Sequence, residues 1–277
     1  MEPARIAPGI ELHYGCALAQ LPADLAARFV GLEHDSEARA FVSRALSAPH
    51  GRLQTAAYRL LRRALSDYDA YGLLRMYPMH LLSAAQLATL LGTTSLPRPR
   101  RLLDVGAGNG DLTAAAAPLF DEVLVTEASR VMRRRLRARG LRVLMLDLAR
   151  EPPPSELRVQ AALCLNVLDR CSHPRSLLRH LRMTLAPSGL LLLSVPVPLS
   201  PHVQRGASTV APEEPLPAPG PSFEASVTSI AAELLAPAGL RVQRLSRVPY
   251  LCHGDADMPI YALDAAIFVC VAEPLIP

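Results

Sequence analysis

The chain has 277 residues, 50% of them hydrophobic and 19% charged, and its formal net charge is +4. Such a composition can bury a substantial core, and it excludes a disordered chain. The apolar runs have only strand length, the N-terminus lacks a signal-peptide pattern and the five cysteines form no C-x-x-C pair, so we expect an intracellular, cytoplasmic protein with no membrane span, zinc site or disulfide framework.

Residues 1–97 are predicted to form an N-terminal helical region packed on the catalytic domain. Helical spacing of apolar residues covers 22–31, 36–46, 53–66 and 83–91, and Ser83 with Gln86 three residues later predicts a capping box for the last helix. No strand-like alternation is visible in this region.

Residues 98–277 are predicted to form a Rossmann-like α/β domain. Strand patterns alternate with helix patterns, which is typical of a parallel sheet. The predicted strands lie near 101–105, 122–127, 141–146, 159–165 and 189–196, and the predicted helices near 111–117, 129–139 and 174–185. A further helix over 223–235 and strands over 241–249 and 262–271 would close the sheet with an antiparallel edge. Segment 198–222 holds seven prolines, and we expect it to be a mobile, lid-like loop.

A glycine-rich turn follows the first of these strands, in Arg101-Leu-Leu-Asp-Val-Gly-Ala-Gly-Asn-Gly110. Glycines at 106, 108 and 110 allow a sharp turn and a close approach to a ligand, and the next helix offers free N–H groups. A plain strand-to-helix turn is the alternative. A cofactor site is favoured because the second strand ends at Glu127, about 20 residues after the loop, where a carboxylate can bind ribose hydroxyls.

The form of the loop, D-x-G-x-G-x-G without Gly-Lys-Ser/Thr, indicates which cofactor it suits. An acidic strand end favours a cationic ligand over a phosphate, which points to S-adenosyl-L-methionine. Here the chain resembles class I S-adenosylmethionine-dependent methyltransferases, a Rossmann-like α/β fold with a mostly parallel seven-stranded sheet. The resemblance implies that Asp104, Gly106 and Gly108 surround the methionine portion, that Glu127 binds the ribose and that Asp147 lies near the adenine.

Arginines are concentrated in Arg130-Val-Met-Arg-Arg-Arg-Leu-Arg-Ala-Arg-Gly140. On a helix they spread around most of the circumference, while Met132 and Leu136 mark one side, so a solvated face is favoured over a nucleic-acid patch. Aromatic residues for stacking bases are few, and tryptophan is absent. We therefore expect no nucleic-acid partner.

The fourth predicted strand, 159–165, carries Asn166 and Asp169 to the edge where the cofactor loop lies. Both residues are also common turn formers and helix caps. Their position at a strand end favours chemistry, because methyl transfer needs a nucleophile held in line, and a nearby carboxylate can orient it and accept its proton. Asp169 fits that role, and Asn166 can orient the target beside the cofactor.

Three separated segments resemble the DREV (methyltransferase-like protein 9) family of protein-histidine N-pros-methyltransferases. They are Asn166-Val-Leu-Asp-Arg-Cys171, Arg247-Val-Pro-Tyr-Leu-Cys-His-Gly-Asp255 and Tyr261-Ala-Leu-Asp-Ala-Ala-Ile-Phe268. The resemblance implies methylation of the histidine Nδ1 atom in His-x-His motifs of proteins. It also implies that Asp169 faces the imidazole, and that Asn166, Tyr250 and Tyr261 form walls and hydrogen-bonding partners around it.

The chain departs from this family in its Pro-rich stretch 211–222 and in His253, which stands where an acidic residue is expected and which we expect to be exposed to solvent. Four functions stay open at this point: a protein-histidine methyltransferase, a methyltransferase acting on free histidine or an imidazole dipeptide, a nucleic-acid methyltransferase, and a non-catalytic cofactor-binding scaffold. The third is disfavoured because the segment lacks a Pro-Pro-aromatic platform for a flipped base. We expect a monomer without a metal site.

Overall fold

The computed structural model describes residues 4–7, 10–92, 96–255 and 257–273, so the ends of both predicted regions, 1–3 and 274–277, lie outside it. Its first part contains two short strands, four helices, one further strand and a fifth helix. These are β1 (Ala4–Ala7), β2 (Ile10–Leu12), α1 (Ala23–Ala26), α2 (Ser36–Ser47), α3 (Arg52–Leu61), α4 (Asp67–Leu74), β3 (Met79–His80) and α5 (Ala84–Leu91). The prediction of a region without strands is therefore wrong.

The helix predicted over 53–66 is α3, which ends at Leu61, and the following helix α4 was not predicted. Ser66, the last residue of the predicted helix, is the N-cap of α4. Its Oγ atom accepts a hydrogen bond of 3.1 Å from the backbone N–H of Asp69. A serine that satisfies a free N–H at a helix start favours a new helix over continuation of the old one. The capping box predicted at Ser83 is confirmed.

The second part alternates strands and helices as predicted. Its elements are β4 (Arg101–Val105), α6 (Asp111–Ala116), β5 (Glu122–Thr126), α7 (Arg130–Ala138), β6 (Arg142–Val143), β7 (Val159–Leu165), α8 (Pro174–Thr184), β8 (Leu185–Val197), β9 (Val203–Arg205), β10 (Ser208–Val210), α9 (Phe223–Ile230), β11 (Leu240–His253) and β12 (Ile260–Ala272). The third predicted strand, 141–146, is shorter than expected, since only its first residues pair with β5.

The main sheet has the strand order β3-β11-β12-β8-β7-β4-β5-β6. Strands β4 to β8 pair in parallel, whereas β12 is antiparallel to both of its neighbours, β8 and β11. The seven predicted strands are thus present as a mostly parallel, Rossmann-like sheet, and β3 from the N-terminal region adds an eighth. Because β4 pairs with β5 on one side and β7 on the other, a crevice opens at its carboxyl end.

Apolar layers cover both faces of the sheet. Along β8, Leu191 and Leu193 belong to one buried cluster, while Leu190 and Leu192 belong to the other. This alternation is what the period of two in a strand requires when both faces are covered. Residues from α2 and α5 contribute to the second cluster, so the N-terminal region shares the core of the sheet.

The Pro-rich segment is more ordered than its sequence predicts. Strands β9 and β10 form an antiparallel hairpin, and Leu199 and Val203 are buried in the core. Farther along, Glu214 accepts hydrogen bonds from the backbone N–H and the hydroxyl of Ser176. The expectation of a mobile loop over the whole of 198–222 is wrong, because its prolines flank the hairpin instead of interrupting it.

Within the described residues, no helix has both the length and the apolar character needed to cross a bilayer.

The arginines of α7 divide into two groups. Arg133 donates to the backbone oxygens of Glu127 and Ala128, whereas Arg130 and Arg134 are exposed. The solvated face predicted for this helix is confirmed for the exposed group.

Candidate active site

The glycine-rich loop lies between β4 and α6, at the carboxyl edge of the sheet. Gly106 and Gly108 have φ values of +72° and +56°, which side chains rarely adopt. A Cβ atom on Gly106 would lie 2.6 Å from Val167, while one on Gly108 would meet no described atom within 4 Å. Gly106 is therefore required by packing against the protein, and Gly108 leaves open surface for a ligand. We expected both to serve the ligand.

Glu127 lies at the end of β5 and holds the same loop. Its Oε2 atom accepts the backbone N–H of Gly108 at 2.8 Å, and its Oε1 atom accepts that of Ser129 at 2.7 Å. Burial raises the pKa of this carboxyl group. Each carboxylate oxygen has a second lone pair, so Glu127 can still accept ribose hydroxyls while it fixes the loop.

Asp104 closes the base of the loop and is almost fully buried, with 2% of its surface exposed. Its Oδ2 atom accepts a hydrogen bond of 2.6 Å from the hydroxyl of Thr113 on α6. Burial raises the pKa of Asp104 to about 6, because a charge without water around it is costly. A cationic group nearby would stabilise the ionised form.

Asp147 follows β6 at the same edge and is exposed. Its Oδ1 atom accepts the backbone N–H of Ala149 at 3.1 Å, and its Oδ2 atom lies 3.6 Å from Arg150. An exposed carboxylate at the rim suits the polar edge of an adenine, and this role stays a prediction. The open surface at Gly108, the acceptor Glu127 and the buried Asp104 together fit a ligand with a cation near one end and a diol farther along.

Asp169 and Asn166 come from the turn after β7, as the sequence predicts. Asn166 has a φ of +54°, a strained conformation for a residue with a side chain. Ser194 of β8 holds it there, since the Ser194 hydroxyl bonds both the backbone N–H and the Oδ1 atom of Asn166, at 2.9 and 2.7 Å. Strain held by a neighbouring strand is characteristic of a functional position.

Asp169 is 3% exposed, and its Oδ1 atom makes no hydrogen bond with any described residue. Its Oδ2 atom lies 3.6 Å from the Nε atom of Arg170. Burial raises the pKa of Asp169, and the neighbouring Arg170 and His202 oppose that rise. Buried polar atoms are almost always paired, so this unpaired acceptor indicates a place for a hydrogen-bond donor from a ligand.

Tyr250 on β11 is buried, and its hydroxyl contacts the sulfur of Met79 and lies beside the amide of Asn166. It thus lies beside Asn166, and its role as a wall around a substrate stays a prediction. Tyr261 on β12 pairs in register with Cys252, on the face of the sheet that carries Tyr250, but it is 41% exposed. The structure therefore groups Asp169, Asn166 and Tyr250 and leaves Tyr261 at the rim.

Two residues of this site were missed by sequence reasoning. The hydroxyl of Tyr68, on α4, is buried beside Arg170 and makes no hydrogen bond of ordinary geometry with a described residue. The Nε atom of Arg170 is buried in the same way, and Asp169 raises the pKa of this guanidinium against the effect of burial. The Ser66 cap could have revealed α4, but no local pattern shows that α4 reaches the sheet edge.

His253 is half-buried and not fully exposed as expected. Its Nδ1 atom lies 3.0 Å from the Nε2 atom of His50, and its main chain bonds the oxygen of Pro78. Met79, His80 and His253 border a groove of about 540 Å³ that continues to Asp111 at the start of α6. Because Met79 also contacts Tyr250, this groove adjoins the site.

Comparisons with known proteins identify methyltransferases as relatives of this chain. The model of the DREV methyltransferase family matches residues 13–272. A curated relative, trans-aconitate 2-methyltransferase of Methylobacterium nodulans, is 31% identical over 175 residues, which is 61% of this chain, and the match spans 65% of the relative's length.

Solved structures show partial likeness. A putative methyltransferase from Bacillus halodurans C-125 has 14% identity and a TM-score of 0.49, over 69% of this chain and 100% of that one. The N-methyltransferase NodS from Bradyrhizobium japonicum WM9, in complex with S-adenosyl-L-homocysteine, has 16% identity and a TM-score of 0.42, over 67% and 84% of the two chains.

Proposed function

This chain belongs to the DREV methyltransferase family, and we propose that it methylates the Nδ1 (N-pros) atom of histidine in His-x-His motifs of proteins. Its cofactor is S-adenosyl-L-methionine, which supplies an electrophilic methyl group and leaves as S-adenosyl-L-homocysteine. Asp104, Gly108 and Glu127 are the residues that would hold it. The observation that carries the proposal is the buried Oδ1 atom of Asp169, which no described residue bonds.

An imidazole ring matches this acceptor. Neutral imidazole has one N–H group and one nitrogen with a free lone pair. If Asp169 accepts the Nε2–H group, the ring is held in the tautomer that leaves Nδ1 free as the nucleophile. As the ring gains a methyl group it becomes a cation, and a carboxylate with a raised pKa is well suited to take the Nε2 proton.

Arg170, Asn166 and Tyr250 support the same geometry. Arg170 lies 3.6 Å from Asp169 and favours the ionised form of that carboxyl group, which is the form that accepts the Nε2–H group. The fixed Asn166 and the buried Tyr250 leave the ring few orientations. The name of the curated relative, trans-aconitate 2-methyltransferase, indicates a carboxylate substrate. Such a substrate would bring a second anion against Asp169, so methylation of a carboxylate is disfavoured here.

The groove beside Met79 favours a polypeptide substrate over a small one. Its volume of about 540 Å³ and its position next to Tyr250 offer room for residues that flank a target histidine. Methylation of free histidine or of an imidazole dipeptide is the second candidate, and it would need no such groove. A non-catalytic scaffold would have no use for the unpaired acceptor of Asp169.

The N-terminal region 1–97 is part of this proposal. It supplies Tyr68, and Asp69 accepts a hydrogen bond from Ser129, which in turn bonds Glu127. We therefore propose that 1–97 packs on the domain 98–277 and completes its site. Since one chain supplies every residue named here, we propose that the protein acts as a monomer.

The proposal is tested with the full chain, a His-Ala-His peptide and carnosine, followed by mass-spectrometric mapping and chromatography of the hydrolysed product. We expect turnover on the peptide and a methyl group on Nδ1. Asp169→Asn should lower turnover by at least about 10²-fold, because it removes the charge that stabilises the forming imidazolium. Affinity for S-adenosyl-L-methionine, measured by titration calorimetry, should stay near that of the unmodified chain.

Asp24→Asn is the matched control, since the Asp24 side chain is 64% exposed and lies on α1. It should leave turnover unchanged. A methyl group on Nε2, or full activity of Asp169→Asn, would contradict the role of Asp169. Turnover on carnosine alone would favour the small-molecule alternative.

A further inference from the structure

Helix α3 has its polar and apolar sides reversed relative to an ordinary surface helix. Thr55 is buried, and Tyr58 faces the protein, where its hydroxyl donates to Asp67. Leu53 and Leu60, by contrast, are 88% and 65% exposed, and Ala56 between them is exposed as well. Residues spaced by three and four share one face of a helix. The apolar face of α3 is therefore turned to solvent.

The charges beside this face have one sign. Residues 49–66 contain no aspartate or glutamate, and Arg52, Arg59 and Arg63 are exposed. At helical spacing these three arginines line one edge of the apolar face. We call the six exposed residues of α3 and its C-terminal turn the basic apolar face: Arg52, Leu53, Ala56, Arg59, Leu60 and Arg63.

The neighbouring helix α4 extends the same character. Leu73 is 53% exposed, and Arg75, which ends α4, is exposed. On its other side α4 packs against α7, where Arg135 donates to the backbone oxygen of Gly72. An exposed leucine close to an exposed arginine thus occurs on both of these adjacent helices.

We propose that the basic apolar face binds the surface of an anionic lipid bilayer, as a peripheral contact. Exposed leucines gain free energy by entering the boundary between head groups and acyl chains, and adjacent arginines are attracted to acidic head groups. A helix with a cationic edge and an apolar face is typical of such contacts. The contact would be reversible, since it involves few leucines and no spanning helix among the described residues.

The same charges disfavour a second copy of this chain as the partner. A twofold contact places the same patch on both subunits. Antiparallel pairing of two α3 helices would then bring the arginine edge of one helix against the same edge of its copy. Like charges at such an interface oppose association, whereas an anionic bilayer is complementary to them.

The test uses the full chain and sedimentation with vesicles of phosphatidylcholine alone or with about 30% phosphatidylserine. We expect binding to the anionic vesicles only, and weaker binding at about 1 M than at about 0.1 M salt. Leu53→Ser with Leu60→Ser should lower the partition coefficient by about tenfold or more, and Arg59→Gln with Arg63→Gln by a similar factor.

Two control proteins make the test specific. Leu18→Ser with Met183→Ser changes two exposed apolar residues elsewhere, 47% and 44% exposed, and should leave binding unchanged. Arg59→Lys with Arg63→Lys keeps the charge and should keep most of the binding. Turnover on a short His-Ala-His peptide without vesicles should be equal for all variants, which separates this contact from the active site.

Several results would overturn the proposal. One is absence of binding to anionic vesicles by the unmodified chain. Another is equal binding by the leucine variant. If the unmodified chain binds no vesicles and the leucine variant loses turnover on protein substrates, the face is a protein-docking surface. If the chain forms a concentration-dependent dimer that Leu60→Ser dissociates, the face is a self-interface.

Discussion

Asp104 allows a quantitative test of the cofactor site, because its carboxyl group is buried at the base of the glycine-rich loop. Burial raises its pKa from 3.8 to about 6. At 1.36 kcal/mol per pKa unit, the ionised group opposes folding by about 3 kcal/mol. Since the folded pKa is the higher one, this penalty is absent below pH 3.8, where the group is protonated in both states, and reaches its full size above a pH of about 6. The free energy of unfolding should therefore fall by about 3 kcal/mol as the pH rises through this range.

Cofactor binding should reverse that shift. The cationic end of S-adenosyl-L-methionine stabilises the ionised carboxylate of Asp104, so binding in acid releases its proton. The affinity should therefore rise about tenfold per pH unit up to a pH of about 6 and stay level above it. Titration calorimetry in two buffers with different ionisation heats measures both the affinity and the number of protons released.

The matched variant is Asp104→Asn, whose amide oxygen can still accept the hydroxyl of Thr113. It should raise the free energy of unfolding at neutral pH by up to about 3 kcal/mol, weaken cofactor binding by about 1.5–3 kcal/mol and abolish the pH dependence. Affinity that is independent of pH in the unmodified chain, together with a less stable Asp104→Asn protein, would refute the electrostatic argument.

Four further substitutions test the remaining parts of the site. Glu127→Ala should weaken cofactor binding by about 1.5–3 kcal/mol in calorimetry while turnover at saturating cofactor changes less; an unchanged affinity with collapsed turnover would assign Glu127 to catalysis. Gly106→Ala should lower the free energy of unfolding by about 2–4 kcal/mol in denaturant titration, because of the positive φ of Gly106 and the clash of a Cβ atom with Val167. Gly108→Ala should mainly weaken cofactor binding. Equal losses of stability in the two variants would contradict the different surroundings of the two glycines. Tyr68→Phe should lower turnover on a histidine peptide by about tenfold without lowering Tm, because the hydroxyl group that it removes is buried without an ordinary hydrogen bond to described residues. A lower Tm with normal turnover would show that this hydroxyl group has a structural role.

The sequence by itself determined the central part of the fold and the sheet edge at which the candidate site lies. Strands such as 159–165 are continuous apolar runs, and a glycine loop between a strand and a helix is a local pattern, so both are visible without tertiary information. Because parallel strands end at one edge, Asp104, Glu127 and Asp169 could be placed together from their positions after strands. These predictions depend on neighbours in sequence alone.

Only the tertiary structure decided how the site is completed. Tyr68 reaches Arg170 because α4 packs across the sheet edge, and the Cβ direction of Gly106 points at Val167, which follows a different strand. The unpaired Oδ1 atom of Asp169 likewise depends on which distant groups surround it. Such contacts join residues far apart in the chain, and local periodicity contains no information about them. The outward-facing leucines of α3 have the same origin, since periodicity defines an apolar face but only packing decides whether that face is covered.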